Sequence, residues 1–318
     1  MNKKFLDILC DPSSKEKLKL TVRHQDGEDV ISGELYSSTN VYKIINGIPR
    51  FVSDEGYSQN FGWQWNKWAK VQFDDENIGK PMENYTKNMF QTITEFNEED
   101  LNGKLVLDIG CGSGRFTDVA IRFGATVVSV DYSSAIDVAY KNTKSQNSLF
   151  IQCDALNLPF KENVFDFAFS IGVLHHTPNP KIGVNEAYRV IKKKGKFAIS
   201  VYSKESNYTL PSVKLWRFIF KKLSKLFSYF PALIYSRLFG TLNHFIGRIN
   251  VKLTYPIKLF FPTVVLKDLR WSILDTFDSV TTSYQSGHTI YEVYNWFQDT
   301  GFINIRPGDW RVNLIGEK

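Results

Sequence analysis

The chain has 318 residues, of which 43% are hydrophobic, 23% charged and 15% aromatic. That balance belongs to a globular protein and excludes disorder, collagen and a continuous coiled coil; the length allows two domains, or one large domain with additions. The formal net charge is +6, which points to an anionic partner only if the excess is gathered in one place. Three cysteines, Cys10, Cys111 and Cys153, are too few and too scattered for a disulfide framework, as in a reduced, cytoplasmic protein. The first residues, Met1-Asn2-Lys3-Lys4-Phe5, open like a signal peptide, and Asp7 and Asp11 then break the pattern. No apolar run approaches the ~18 residues that a spanning helix needs.

In chain order, residues 1–55 read as short strands and turns. Apolar runs lie at Leu18–Val22 and Val41–Ile45, and Asn46-Gly47-Ile48-Pro49 is a turn. Residues 56–100, rich in Trp, Asn and acids, hold one or two helices. From Lys104 the pattern alternates. Strands are predicted at Leu105–Ile109, Thr126–Val130, Leu149–Cys153, Phe165–Ser170 and Gly195–Val201. Helices are predicted at Arg115–Phe123, Ser133–Lys144 and Asn185–Lys193. Such alternation implies a parallel sheet covered on both faces through right-handed crossovers. A helix over Thr289–Thr300 stops at Gly301. Strands Phe302–Arg306 and Trp310–Ile315 then flank Pro307-Gly308-Asp309 as an antiparallel hairpin. The expected fold class is α/β: a Rossmann-like, doubly wound, mostly parallel sheet of seven strands ending in that hairpin. A small β-rich module (1–55) precedes a main domain (56–318), which carries a helical insertion at about 206–268.

The strongest motif is Val106-Leu107-Asp108-Ile109-Gly110-Cys111-Gly112-Ser113-Gly114, a buried strand running into a glycine loop that opens a helix. Glycine permits positive φ and close approach of a ligand to the backbone. The dinucleotide fingerprint G-x-G-x-x-G needs a third glycine where Arg115 stands, so the spacing here is G-x-G-x-G. Asp131 ends the second strand, where an acid either accepts hydrogen bonds from ribose hydroxyls or caps the helix behind Tyr132-Ser133-Ser134. Gln152-Cys153-Asp154-Ala155 ends the third strand, where Asp154 is otherwise a turn former. Phe165-Asp166-Phe167-Ala168-Phe169-Ser170-Ile171-Gly172-Val173-Leu174-His175-His176 forms the fourth strand and its exit.

These four segments, over about 105–201, resemble class I S-adenosylmethionine (SAM) methyltransferases. The fourth is similar to the ubiquinone- and menaquinone-biosynthesis type, and a weaker likeness extends over 289–318. The resemblance implies SAM as cofactor and says nothing of the acceptor. It implies that Asp108 meets the ammonium end of SAM, directly or through water. Gly110, Cys111, Gly112 and Gly114 would line the methionine and ribose, with Asp131 and Tyr132 at the ribose. Asp154 and Ala155 would meet the adenine, and Ser170 and Ile171 the methyl end. His176 and then His175 are the base candidates, should the acceptor carry a proton to lose; equally, His175-His176-Thr177-Pro178 is a turn. His288 and His244 are weaker candidates, and His24 reads as a surface residue. Phe61, Trp65 and Trp68 share one helical face at i, i+4, i+7. That face either packs a helix on the core or, with Tyr57, covers the sulfonium by cation–π attraction.

Residues 5–52 resemble the zinc-ribbon module that precedes some bacterial methyltransferases, through Phe5-Leu6-Asp7-Ile8-Leu9-Cys10-Asp11-Pro12 and Tyr42-Lys43-Ile44-Ile45-Asn46-Gly47-Ile48-Pro49-Arg50. Structural zinc needs four ligands in two close pairs. Only Cys10 remains, and Ser13, Ser14, Ser37 and Ser38 stand near where thiols are expected. No structural metal is expected.

The charge has an address. Ser206–Lys267 holds ten Lys or Arg and no Asp or Glu, so the rest of the chain is net acidic. Lys214, Arg217, Lys221 and Lys225 fall on one helical face, and Trp216, Ile219, Leu223, Leu226 and Phe230 on another. This is either a helical cap with a solvated face or a peripheral docking surface for anionic membrane, where each cation contributes about 1 kcal/mol. A small, hydrophobic or lipid- or glycan-linked acceptor would enter beneath it. Nucleic acid fits less well, because an Asn-Pro-Pro-Tyr-like motif and a Pro-Cys pair are missing and the aromatics are spaced for a core. The alternatives are an RNA methyltransferase that uses the basic insertion and a non-catalytic SAM-binding protein.

Overall fold

The computed structural model describes residues 1–53, 56–249 and 259–318. Its frame is one mixed sheet of eleven strands: β1 (Lys19–Asp26), β2 (Asp29–Tyr36), β3 (Val41–Ile45), β4 (Ile48–Arg50), β5 (Leu105–Ile109), β6 (Thr126–Asp131), β7 (Ser148–Gln152), β8 (Phe165–Ile171), β9 (Ile191–Ser200), β10 (Ile303–Pro307) and β11 (Asn313–Glu317). The spatial order is β1-β2-β3-β4-β7-β6-β5-β8-β9-β11-β10. Strands β7, β6, β5, β8 and β9 are mutually parallel, and β11 runs antiparallel to β9. Val106, Leu107 and Ile109 of β5 are all 0% exposed, which is why the central strands read as unbroken apolar runs. The order reverses at β5, so the crevice at the carboxyl ends of β5 and β8 is where such a sheet takes a ligand.

The seven strands from β7 to β10 are those expected; four more lie beyond them. Strands β1 to β4 form an antiparallel meander, and β4 lies parallel to β7 through the pair Arg50 and Gln152. Residues 1–53 therefore extend the main sheet and share its core through Leu9, Leu35 and Ile44. Arg50 secures the seam: its guanidinium donates to Asp137 at 2.6 Å and to the Gln152 side chain at 3.0 Å.

Where a ribbon would clamp zinc, a carboxylate ties the loops. Asp11, 0% exposed, accepts from Ser37 Oγ at 2.7 Å, Asn40 Nδ2 at 3.0 Å and Tyr42 OH at 3.1 Å. The amides of Ser13 and Ser14 also donate to it, at 2.8 and 3.0 Å. Burial pushes its pKa up, but these donors outweigh burial and hold it far below the usual carboxylate range. Among the described residues no group of three or more His, Cys, Asp or Glu is arranged to hold a metal ion.

The helices are α1 (Gln59–Lys67), α2 (Tyr85–Thr94), α3 (Glu98–Leu101), α4 (Arg115–Arg122), α5 (Ala135–Thr143), α6 (Pro180–Val190), α7 (Pro211–Phe227), α8 (Phe230–Ile249), α9 (Leu269–Thr281) and α10 (Ile290–Thr300). The helix expected over Asn185–Lys193 starts earlier and ends at Val190, because Pro180 suits a first turn. The next strand then begins at Ile191, not Gly195, with Lys194 at φ +65° beside a register shift. The last strand starts at Asn313, not Trp310, since the Asn313 side chain takes the Trp310 amide at 3.0 Å and donates to Ile93 O at 2.7 Å.

Helices α7, α8 and α9 pack around Phe220, Leu233, Tyr235 and Phe277. Two parts of the expected amphipathic pattern differ. Arg217 turns inward, donating to Ser279 O at 2.8 Å and Tyr208 O at 3.0 Å, so it leaves the outer basic face. Leu226 and Phe230, expected on the apolar face, are 78% and 60% exposed, so that part of the face is not packed on the core. The Arg248 side chain, Lys252 and Lys258 lie outside the described residues. No helix among the described residues is long and apolar enough to cross a membrane.

Candidate functional site

A cavity of about 520 Å³ opens at the carboxyl ends of β5 and β8, within the size range of small-molecule sites. Its floor is the loop after β5. Gly110 and Gly112 have φ of +83° and +55°, a region that L side chains avoid. A methyl on Gly110 would fall 2.2 Å from Val173 Cγ1, and one on Gly112 would fall 2.8 Å from the Trp65 Nε1. The loop amides are anchored: Gly110 N and Cys111 N donate to Val130 O at 2.8 and 2.9 Å, and Gly112 N donates to Asp131 Oδ2 at 2.9 Å. The bare backbone is therefore held rigid, as a cradle that a Cβ would fill.

Of the residues expected at the cofactor, Gly110, Cys111, Gly112, Asp131, Tyr132, Ala155 and Ile171 line the cavity. Asp131 bonds locally as a turn former and also faces the cavity. It stands at the wall, and its Oδ1 accepts the Ser133 amide at 2.8 Å and hydroxyl at 2.7 Å, at the entrance to α5. Asp108, Gly114, Asp154 and Ser170 lie behind the wall. Asp108 accepts Thr117 Oγ1 at 2.7 Å, and burial pushes its pKa up to about 7. Gly114 precedes α4. Ser170 Oγ donates to Ile109 O at 3.1 Å, a tie between β8 and β5. Asp154 accepts from Tyr57 OH at 3.3 Å, and Tyr57 itself lines the cavity.

The histidines separate. His175 is 0% exposed and lies outside the cavity wall, its ring 3.9 Å from that of Tyr202, with neither ring nitrogen hydrogen-bonded. His176 lines the cavity, and its Nδ1 lies 2.9 Å from Tyr284 O. A carbonyl only accepts, so the hydrogen is placed on Nδ1 and Nε2 is left as the acceptor. Burial lowers the His176 pKa to about 4, so the ring is neutral at neutral pH. The aromatic face also divides. Tyr57, Phe61 and Trp65 line the cavity, whereas Trp63 and Trp68 each sit 5.1 Å from the Phe277 ring.

Sequence reasoning missed the roof. Helix α9 presents Trp271, Leu274, Asp275 and Asp278 to the cavity, one face at helical spacing. Opposite stand Tyr202 and Tyr208, stacked at 4.4 Å and 7°, and Arg115 from the start of α4. Asp278 accepts from Tyr202 OH at 3.4 Å. Burial raises the pKa of Asp275 to about 7, helped by Asp278 and opposed by Arg115; burial raises that of Asp278 to about 6, opposed by Arg217. The signal was present as two acids three apart on one helix, just after the acid-free stretch.

Residues 107–199 match the family model described as a methyltransferase domain. Within that frame the glycine cradle, with Asp131 beside it, fits the family's cofactor, S-adenosylmethionine. The chain is 34% identical over 129 residues to the ubiquinone biosynthesis O-methyltransferase of Coxiella burnetii, covering 39% of this chain and 55% of that protein. It is 34% identical over 116 residues to the probable tRNA methyltransferase 9B of Homo sapiens, covering 36% of this chain and 24% of that one. The methyltransferase region thus matches less than two thirds of either relative. Among solved structures, the complex between the Haloferax volcanii Trm112 methyltransferase activator and the putative methyltransferase matches with a TM-score of 0.45 at 15% identity, over 84% of this chain and 98% of that chain.

Proposed function

We propose that the chain transfers the methyl group of S-adenosylmethionine to a small acceptor bound in this cavity. The observation that carries the reading is one continuous cavity, with a glycine cradle and Asp131 at one end and an aromatic, carboxylate-bearing chamber under α9 at the other. When bound, SAM supplies an electrophilic methyl on a sulfonium. The chain holds its partner close and in line, which lowers the barrier through proximity alone. Gly110, Cys111 and Gly112 cradle the methionine and ribose, and the carboxylate of Asp131 takes the ribose hydroxyls. Tyr132 and Ala155 face the adenine, with Asp154 acting behind them through Tyr57. Phe61 and Trp65 exclude water. His176 offers a neutral nitrogen at the rim.

The same reading places α7 and α8 on an anionic membrane, from which a hydrophobic or lipid- or glycan-linked acceptor enters. Phe230, Ile234, Leu238, Leu242 and Phe245 recur along one side of α8 and are 60%, 65%, 60%, 40% and 57% exposed. Single exposed apolar residues are ordinary, but a row of five is a contact surface. Lys214, Lys221, Lys222, Lys225 and Arg237 are exposed on the same two helices. Cations around apolar side chains match an anionic lipid interface. An RNA acceptor would use the same cations, yet a phosphate backbone gives no role to the apolar row. Titration with S-adenosylhomocysteine tests the cofactor site, and absence of binding would end the proposal. Cosedimentation with phosphatidylserine vesicles against an RNA gel shift tests the partner; RNA binding without vesicle binding would reverse the choice.

A further inference from the structure

The acceptor chamber carries two charged side chains that no hydrogen bond from a described residue satisfies. Asp275 has no hydrogen bond or ion pair with any described residue, and neither has Arg115. Both line the cavity and keep partial accessibility there, although protein encloses them. An enclosed polar group without a hydrogen bond is costly, so the arrangement makes sense when a ligand's polar groups complete it. Asp278 differs from Asp275 because Tyr202 OH donates to it at 3.4 Å. One carboxylate is thus tethered and one is open.

Charge and shape narrow the ligand. Arg115 faces Asp275, and Arg217, fixed by Ser279 O and Tyr208 O, faces Asp278. Two guanidinium groups balance two carboxylates, so an ammonium-bearing acceptor gains no net attraction here. The flat walls are Trp271, Tyr85 and the stacked Tyr202–Tyr208 pair. Aromatic faces beside carboxylates and guanidinium groups suit a neutral molecule with several hydroxyls, which both donates to the acids and accepts from the arginines.

We propose that this chamber is a subsite for a sugar or polyol acceptor, with Asp275 as the base that takes the proton of the reacting hydroxyl and Asp278 as a positioning residue. As the hydroxyl oxygen forms its bond to the methyl carbon, the carbon–sulfur bond breaks and its electron pair stays on sulfur. The hydroxyl proton passes to Asp275 Oδ and leaves to solvent after release. The inference rests on the methyltransferase reading of the cavity. Burial, which pushes the Asp275 pKa up to about 7, makes it a stronger base than an ordinary carboxylate.

The test uses the full chain and the variants Asp275→Asn and Asp278→Asn. S-adenosylhomocysteine affinity is measured first. Binding of methyl mannoside, methyl galactoside, rhamnose, myo-inositol and ethanolamine to the S-adenosylhomocysteine-saturated protein is then followed by saturation-transfer NMR. Label transfer from tritiated SAM to the bound probe comes last. Native protein is expected to bind at least one of the hydroxyl probes in preference to ethanolamine. Asp275→Asn is expected to keep S-adenosylhomocysteine affinity within about threefold, to weaken the hydroxyl probe about tenfold, and to lose transfer by about 10²–10⁴, the usual weight of a general base. Asp278→Asn is expected to weaken the hydroxyl probe about tenfold, because a charged acceptor becomes a neutral amide with a donor in place of one oxygen. Binding of no hydroxyl probe, preference for ethanolamine, or undiminished transfer by Asp275→Asn would overturn the inference. So would loss of S-adenosylhomocysteine affinity in Asp275→Asn, which would put that carboxylate at the cofactor. Failure of the native chain to bind S-adenosylhomocysteine would instead strike the methyltransferase reading beneath it.

Discussion

Replacing Gly112 with alanine probes both the floor of the cavity and its cover. The new methyl would stand 2.8 Å from Nε1 and 3.1 Å from Cε2 of Trp65, at a φ of +55°. The backbone term is about 1–2 kcal/mol for an L residue in the left-handed region. The steric term is about 1–3 kcal/mol for a side chain forced into packed space. Gly112→Ala alone is therefore expected to cost about 2–5 kcal/mol in urea unfolding followed by circular dichroism. In a Trp65→Leu background the indole is gone and only the backbone term remains. The double-mutant cycle should return a coupling of about 1–3 kcal/mol, with Gly112→Ala cheaper once Trp65 is absent. S-adenosylhomocysteine affinity should follow the same pattern, since Trp65 and Gly112 line one cavity. A coupling below about 0.5 kcal/mol, the level of independent sites, would refute the placement of Trp65 over the loop.

Three further outcomes are expected. Asp131→Ala should weaken S-adenosylhomocysteine by about 10–100-fold, the loss of hydrogen bonds to a charged acceptor; an unchanged affinity would remove Asp131 from the ribose. Asp11 has its folded pKa depressed, so its stabilising contribution is present above its unfolded value of about 3.9 and fades as pH falls below it. The stability gap between native protein and Asp11→Asn should hold steady from neutral pH to pH 5 and shrink under stronger acid; a gap that widens in acid would contradict the hydrogen-bond network. Ile234→Glu with Leu238→Glu should abolish sedimentation with phosphatidylserine vesicles while leaving S-adenosylhomocysteine affinity intact, because both side chains point away from the cavity; retained sedimentation would clear α8 of any membrane role.

The central strands were legible because a strand buried on both faces has one way to write itself, and Val106–Ile109 does so. The loop was legible because positive φ at Gly110 and Gly112 leaves few alternatives to glycine. Other parts depend on contacts far apart in the chain. The meander's attachment joins residues about a hundred or more apart, among them Arg50 with Gln152 and Asp137 and Leu9 with Phe160, and such pairings have no local pattern. Arg217 sits at the margin of its helix face, where a small rotation decides between water and Ser279 O. Asp275 and Asp278 become a site only after α9 crosses the strand ends, and a one-dimensional pattern of acids cannot say what they will face. His175 and His176 are neighbours in sequence that a single turn sends to different environments.

The seam between β4 and β7 also decides where the protein is vulnerable to self-association. With β1 to β4 in place, β7 is an interior strand and, among the described residues, the outermost strands are β1 and β10. Strand β1 carries Lys19, Arg23, His24 and Asp26, with register breaks around His24, devices that blunt an exposed edge. Strand β7 has no such protection, for Leu149, Phe150 and Ile151 follow one another at 2%, 2% and 0% exposure. Cutting the chain before Gly56 would turn that run into a bare, adhesive edge. The amino-terminal meander thus shields the apolar run of β7 from other chains.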